Sequence, residues 1–216
     1  MDEIYLKRRQ KKSYTSYRLE KRIEAIIDSL KGYTSNSFNF ILDVGTADGK
    51  MLKRIATHLN IKKAIGIDIS KEAIKIANQQ KNIRVSLGNF IDLPFKEGVF
   101  DVLLASAVVE HIEDVDSVLK ESYRVLKNGG LFCVTLPNPF FDWINSKLVK
   151  TYHIRRYWLK EIMHIMENFG FRIVKAHYFM LCPFGQLPFA ISIEKFFRFL
   201  RLDFLLFNHI TIGKKI

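Results

Sequence analysis

Residues 40–49, Phe-Ile-Leu-Asp-Val-Gly-Thr-Ala-Asp-Gly, read as a buried strand that runs directly into a glycine-hinged loop and then a helix. Phe40, Ile41, Leu42 and Val44 suit a strand covered on both faces. Gly45 and Gly49 admit backbone torsions and a close ligand approach that a side chain blocks. The helix follows through Met51, Leu52, Ile55 and Leu59. A second strand, Ala64-Ile65-Gly66-Ile67-Asp68, ends in an acid close to the spacing at which a nucleotide-binding βαβ unit places its ribose-binding carboxylate. Together these segments describe a cofactor cradle with Asp68 as its second anchor.

The glycine spacing narrows the ligand. A dinucleotide fingerprint needs G-x-G-x-x-G so that a helix N-terminus receives a pyrophosphate, but this loop runs Gly45, Ala47, Gly49, with acids at Asp43 and Asp48. Carboxylates there repel phosphate and attract an ammonium or a sulfonium. S-adenosylmethionine carries both cations. A bare strand-to-helix turn without a ligand is the alternative.

Four motifs bear on the choice: residues 42–49 (Leu-Asp-Val-Gly-Thr-Ala-Asp-Gly), 66–70 (Gly-Ile-Asp-Ile-Ser), 88–95 (Gly-Asn-Phe-Ile-Asp-Leu-Pro-Phe) and 100–106 (Phe-Asp-Val-Leu-Leu-Ala-Ser). On these the chain resembles the class I S-adenosylmethionine-dependent methyltransferases of the broad small-molecule group (type 11-like), from about Phe38 to the C-terminus. The family usually has glycine where Ala47 stands and commonly aspartate where Asn89 stands. The asparagine keeps an acceptor oxygen and gives up the charge.

The resemblance implies an α/β fold: a doubly wound, Rossmann-like, seven-stranded and mostly parallel sheet with an antiparallel last strand, an N-terminal helix and a C-terminal lid-like helix. It implies that Asp43, Thr46, Ala47 and the Gly45 and Gly49 backbone hold the methionine end of S-adenosylmethionine, released as S-adenosylhomocysteine. Asp68 would accept from the ribose hydroxyls and Ile69 pack on adenine; Asn89 and the Phe90 amide would serve the adenine edge, and Ser106 would line the methionine tail. Ser70 reads better as a helix N-cap for Lys71 to Gln80 than as a ligand contact. The alternatives are a small residue after a strand for Ser106 and a cap on backbone amides for Asp43.

At 216 residues and 48% hydrophobic content the chain can bury a core as one domain without disulfides or a metal. Residues 1–37 form a basic tail and helix, 38–145 the cofactor-binding core, and 146–216 the substrate-side and lid elements with the last strands. No metal site is expected. Cys133, in an apolar run, and Cys182 lack C-x-x-C spacing, and no secretory signal is visible; both are expected as reduced thiols in a cytoplasmic protein. Helices are expected at Ser16 to Leu30, at Val115 to Leu126 before Asn128-Gly129-Gly130, and at Trp158 to Asn168 before Gly170, the glycines marking helix ends. Further strands are expected at Ile83 to Leu87, Phe100 to Ala105, Gly130 to Leu136, Phe171 to Phe179 and Phe207 to Gly213.

The net charge of +12 sits on the flanks: nine basic against five acidic residues in 1–31, twelve against four in 146–216, and thirteen against thirteen between. An anionic partner fits this distribution: phosphate groups, RNA or an acidic membrane surface. Residues 7–12 (Lys-Arg-Arg-Gln-Lys-Lys) read equally as a solvated tail. Phe189 to Phe207 reads as one amphipathic helix, either a lid on its own domain or a helix at a lipid interface; its charges and the preceding prolines argue against a membrane span.

Methyl transfer needs an aligned acceptor O, N or C atom and a closed pocket, and no protein nucleophile. His111, beside Glu110 after the fourth strand, and His153, beside Arg155, Arg156 and Tyr157, are candidate bases for a small acceptor, lipophilic or anionic. Structural histidines are the alternative. The competing functions are an RNA methyltransferase, a nicotinamide oxidoreductase, and a protein that binds S-adenosylmethionine without turnover. Residues 136–140 (Leu-Pro-Asn-Pro-Phe) superficially resemble the Asn-Pro-Pro-aromatic signature of amino-methylating nucleic-acid enzymes, but Asn138 follows the fifth strand rather than the fourth.

Overall fold

The computed structural model describes residues 13–33, 38–148, 153–181 and 190–216. The basic run 7–12, Cys182 and the Pro183 to Phe189 segment lie outside the described residues. Seven strands, β1 (Phe40–Val44), β2 (Lys63–Asp68), β3 (Arg84–Leu87), β4 (Phe100–Ser106), β5 (Leu126–Pro137), β6 (Phe171–Phe179) and β7 (Asn208–Lys215), form one sheet in the order β3-β2-β1-β4-β5-β7-β6. β1 to β5 pair in parallel, and β7 runs antiparallel to both β5 and β6. The strand order reverses between β1 and β4. That switch point is where an open α/β sheet leaves a crevice outside its strand C-termini.

Two apolar layers cover the sheet. On one side α1 (Ser13–Leu30) and α2 (Lys50–His58) bury Ile23, Ile26, Ile27, Leu30, Leu52 and Ile55 against Ile41, Val102, Leu104, Ile210 and Ile212. On the other, α4 (Val115–Val125) and α6 (Leu159–Asn168) bury Val118, Leu119, Ile162 and Met166 against Leu42, Leu103, Phe132 and Phe171. Each large side chain so buried contributes on the order of 1.5–3 kcal/mol. α3 (Lys71–Ala77), α5 (Pro139–Leu148) and α7 (Ala190–Phe199) are the other α-helices among the described residues.

Three expected elements differ. The helix expected to reach Gln80 ends at Ala77, with Gln79 and Gln80 closing i→i−3 turns. The Asn128-Gly129-Gly130 run does not end a helix. α4 stops at Val125, the chain enters β5 at once, and residues 127–130 bulge out of the ladder between the Phe100–Leu126 and Val102–Leu131 pairs. Gly129 takes φ +80°, and a Cβ on Gly130 would stand 2.8 Å from the Lys127 carbonyl, so both glycines serve this bulge. Finally, the Phe189 to Phe207 helix is broken. α7 ends at Phe199, Arg201 adopts φ +58°, and a 3₁₀ turn at Asp203–Leu205 leads into β7.

Candidate functional site

The β1–α2 loop is tied to the end of β2 by three amides. Gly45 N and Thr46 N both donate to the Ile67 carbonyl, at 2.8 and 3.0 Å, and Ala47 N donates to Asp68 Oδ2 at 2.9 Å. Gly45, Ala47 and Gly49 all take left-handed torsions, with φ of 72°, 51° and 71°. A Cβ on Gly45 would lie 2.4 Å from Val108 Cγ2, so this glycine lets the loop close on the segment after β4. Gly66 has a matching role that the sequence reading missed: a Cβ there would meet the Thr46 side chain at 2.7–2.9 Å. A glycine inside a strand is the available signal for such a close approach.

The structure brings the expected cofactor residues to one edge. Asp43 is wholly buried near the end of β1, and Asp68, 2% exposed, ends the adjacent β2. Asp68 Oδ1 accepts from Ser70 N at 2.9 Å, and each of its oxygens retains lone-pair capacity for a further donor. Ser70 caps α3, its Oγ accepting from Ala73 N at 3.2 Å. Ile69 stands 64% exposed, an apolar surface next to that carboxylate. Asn89 is exposed, with Oδ1 accepting from Ile91 N, while Phe90 is buried. Arg124 and Glu121 fix the loop beyond: Glu121 Oε2 accepts from Leu93 N, and Arg124 donates to the Leu93 and Phe95 carbonyls. Ser106 Oγ lies 2.8 Å from Thr135 Oγ1, which ties it to β5. These residues fit S-adenosylmethionine: a left-handed loop open to close approach, paired carboxylates at adjacent strand ends and an exposed apolar platform.

The second cluster lies beyond β4. Val109–His111 form a 3₁₀ turn that buries Glu110, and the Glu110 carbonyl accepts from Ile154 N and Arg155 N at 2.9 and 3.2 Å. That clamp brings His153 to His111, ring centroids 4.8 Å apart and nearly edge-on. Asp142, on α5, was not anticipated. Its Oδ1 is 2.8 Å from His153 Nδ1, and its Oδ2 accepts from Arg156 Nε at 2.7 Å. Burial pulls the Asp142 carboxyl up, but His153 and Arg156 more than offset this and hold it below the ordinary range. Burial raises Glu110, against the opposing influence of both histidines. Burial, reinforced by the Asp43 charge, pushes the Cys133 thiol up, which makes it a poor nucleophile. Asn138 donates through Nδ2 to the Phe204 and Leu206 carbonyls at 2.7 and 2.8 Å, so its amide is committed to the fold.

A parallel sheet with an antiparallel strand inserted between β5 and β6 is the arrangement of the class I S-adenosylmethionine-dependent methyltransferases, and the comparisons agree. The family model described as a methyltransferase domain matches residues 42–134. A protein of Methanocaldococcus jannaschii is 32% identical over 158 residues, covering 69% of this chain and 72% of its own. A demethylmenaquinone methyltransferase of Lactococcus lactis is 29% identical over 143 residues, covering 63% of this chain and 54% of the relative. Apart from the first, the chain spans about half the length of the leading curated relatives. Among solved structures, a Pyrococcus horikoshii protein superposes with TM-score 0.71 at 17% identity, covering 100% of both chains. A methyltransferase of Thermotoga maritima superposes with TM-score 0.68 at 20% identity, covering 93% of this chain and 92% of that one. The chain belongs to the S-adenosylmethionine-dependent methyltransferases, and S-adenosylmethionine is its cofactor.

Proposed function

We propose that this methyltransferase alkylates a small lipophilic acceptor presented beside the Glu110–His111–His153 cluster. The reading rests on apolar side chains left exposed around that cluster. Phe140 and Trp143 on α5, Ile154, Trp158 and Phe204 are each more than half exposed. Their segments are joined by Glu110, by the Asp142–His153 contact and by Asn138, whose Oδ1 accepts from Phe140 N. Exposed apolar groups held together in this way suit an apolar ligand. The two arginines here already face carboxylates, Arg155 with Glu161 and Arg156 with Asp142, which favours a lipophilic acceptor over an anionic one. The demethylmenaquinone methyltransferases among the relatives agree with this choice.

Asp43, Thr46, Ala47 and the Gly45 and Gly49 backbone would hold the methionine end of the cofactor, Asp68 and Ile69 its ribose and adenine, Asn89 and the Phe90 amide the adenine edge, and Ser106 the tail. S-adenosylmethionine supplies a methyl group on a sulfonium sulfur, open to in-line attack. The chain's task is to align the acceptor, exclude water and receive the acceptor proton, a role that His111 and His153 would fill while they hold no metal ion. Among the described residues no helix is long and apolar enough to cross a membrane. Phe196, Phe199 and Leu200, exposed alongside Lys195 and Arg201, suit contact with an acidic lipid surface from which such an acceptor would come.

The test is transfer of a labelled methyl group into a cell extract, followed by separation into lipid, RNA, protein and small polar pools. Label in the lipid pool supports the reading. Label confined to RNA or to the polar pool overturns it.

A further inference from the structure

We infer that Glu110, His111 and His153 form a binding site for a divalent cation of the zinc or manganese class at the acceptor end of the crevice. One ligand atom from each residue lies within 4.8 Å of the others. Tetrahedral metal–ligand bonds of about 2.0–2.2 Å hold ligand atoms roughly 3.3–3.6 Å from one another, so the cluster has to close by about 1.5 Å at most. His111 is exposed, so an entering ion reaches the cluster from that side.

Three further observations carry the inference beyond proximity. First, Glu110 is 1% exposed, and its Oε2 is buried without a hydrogen-bond partner. A buried carboxylate oxygen is costly unless it meets a cation or a donor, and a coordinated ion satisfies it. Second, the site is held by backbone. Ile154 N and Arg155 N bind the Glu110 carbonyl, so the main chain at His153 is fixed against the turn that carries the other two ligands. Third, Asp142 Oδ1 lies 2.8 Å from His153 Nδ1 as a close contact without hydrogen-bond alignment, and a modest turn of the ring makes it the carboxylate–histidine support found behind metal-bound imidazoles. It favours the tautomer with its proton on Nδ1 and leaves the lone pair on Nε2 to the ion.

Two imidazoles and one carboxylate suit first-row divalent ions better than calcium or magnesium. Three protein ligands leave a position open, as in sites that bind substrate rather than in closed structural ones. An acceptor oxygen or nitrogen is the natural occupant; with an ion bound the two imidazoles act as ligands and no longer as proton acceptors, so the acceptor proton leaves to water. Only this last point rests on the proposed acceptor side; the cation site itself does not.

Cobalt(II) titration of the purified full chain tests the site through its visible absorption, with zinc as competitor. The expected result is one saturable equivalent, displaced by zinc. Affinity should fall at least tenfold in Glu110→Gln, His111→Gln and His153→Gln, and about tenfold in the positioning variant Asp142→Asn. The exposed His58→Gln should match the wild type. Should a buried-site variant unfold, His111→Gln decides, because its side chain is at the surface. Absence of a saturable signal, or unchanged affinity in His111→Gln, overturns the site. Calorimetry with S-adenosylhomocysteine on the same samples separates the two readings: binding should persist in every variant, and its loss in the wild type would count against the cofactor cradle while leaving the cobalt result intact.

Discussion

Gly45 and Asp68 each do two jobs, and single substitutions separate them. Gly45 combines a left-handed torsion with a contact to Val108 that has no room for a methyl group. Gly45→Ala is therefore expected to lose about 2–4 kcal/mol, part torsional and part steric. Adding Val108→Ala should return the steric part and leave the torsional part, as a double-mutant cycle in urea would show. A Gly45→Ala variant within about 0.5 kcal/mol of wild type would refute the close packing of the loop. Asp68 clamps the Ala47 and Ser70 amides and is also the proposed acceptor for the ribose hydroxyls. Asp68→Asn retains an acceptor oxygen and loses the charge; it should weaken S-adenosylhomocysteine by roughly ten- to a hundredfold in calorimetry while still folding. Asp68→Ala should additionally cost about 1–3 kcal/mol of stability. Undiminished affinity in Asp68→Ala would remove the cradle.

Asn138 is the equivalent hinge between elements, because its side chain joins the start of α5 to the two carbonyls that lead into β7. Asn138→Ala leaves buried carbonyls without donors, and a loss of about 2–4 kcal/mol is expected in chemical denaturation. Asn138→Asp should fare no better, since a carboxylate cannot donate. If either variant unfolds like wild type, the acceptor wall does not depend on this bridge. What the sequence made legible follows the same division between local and distant. β1, its loop, β2 and Asp68 belong to one βαβ unit, where hydrophobic runs and glycine spacing carry the information, and β6 matches its expected span residue for residue. The bulge at 127–130 was misread because Asn-Gly-Gly marks a helix end and a tight turn alike. The break after α7 has neither glycine nor proline at Arg201 to announce it, and the apolar period runs on past it. The approach of His153 and Asp142 to Glu110 and His111 is a tertiary event between segments remote in sequence, and no local pattern encodes it.

Across the whole molecule, the C-terminal strand fills the place between β5 and β6, so the sheet is complete only when the last residues dock. His209 sits in that strand with 0% exposure; its Nε2 donates to the Tyr157 carbonyl at 2.9 Å and its ring lies edge-on to Tyr178. Burial lowers its pKa to about 4, from an ordinary value of 6.5. Folded His209 is thus neutral through a range in which the unfolded chain takes up a proton, and stability should fall as pH drops from 6.5 toward 4. The full difference corresponds to about 3 kcal/mol. Carboxyls held below their ordinary values, such as Glu121 beside Arg124, add their loss only lower, beneath about pH 4.5. Glu110 works in the other direction, because its raised pKa takes stability away as pH rises above that point. The histidine contribution is consequently read as a difference between two proteins rather than from the wild-type curve. Urea midpoints at pH 7, 5.5 and 4.5 should fall more steeply for wild type than for His209→Gln, whose amide can still donate to Tyr157 and does not titrate. Parallel curves would mean that protonated His209 is tolerated in the folded state, and that β7 yields locally without the rest of the sheet.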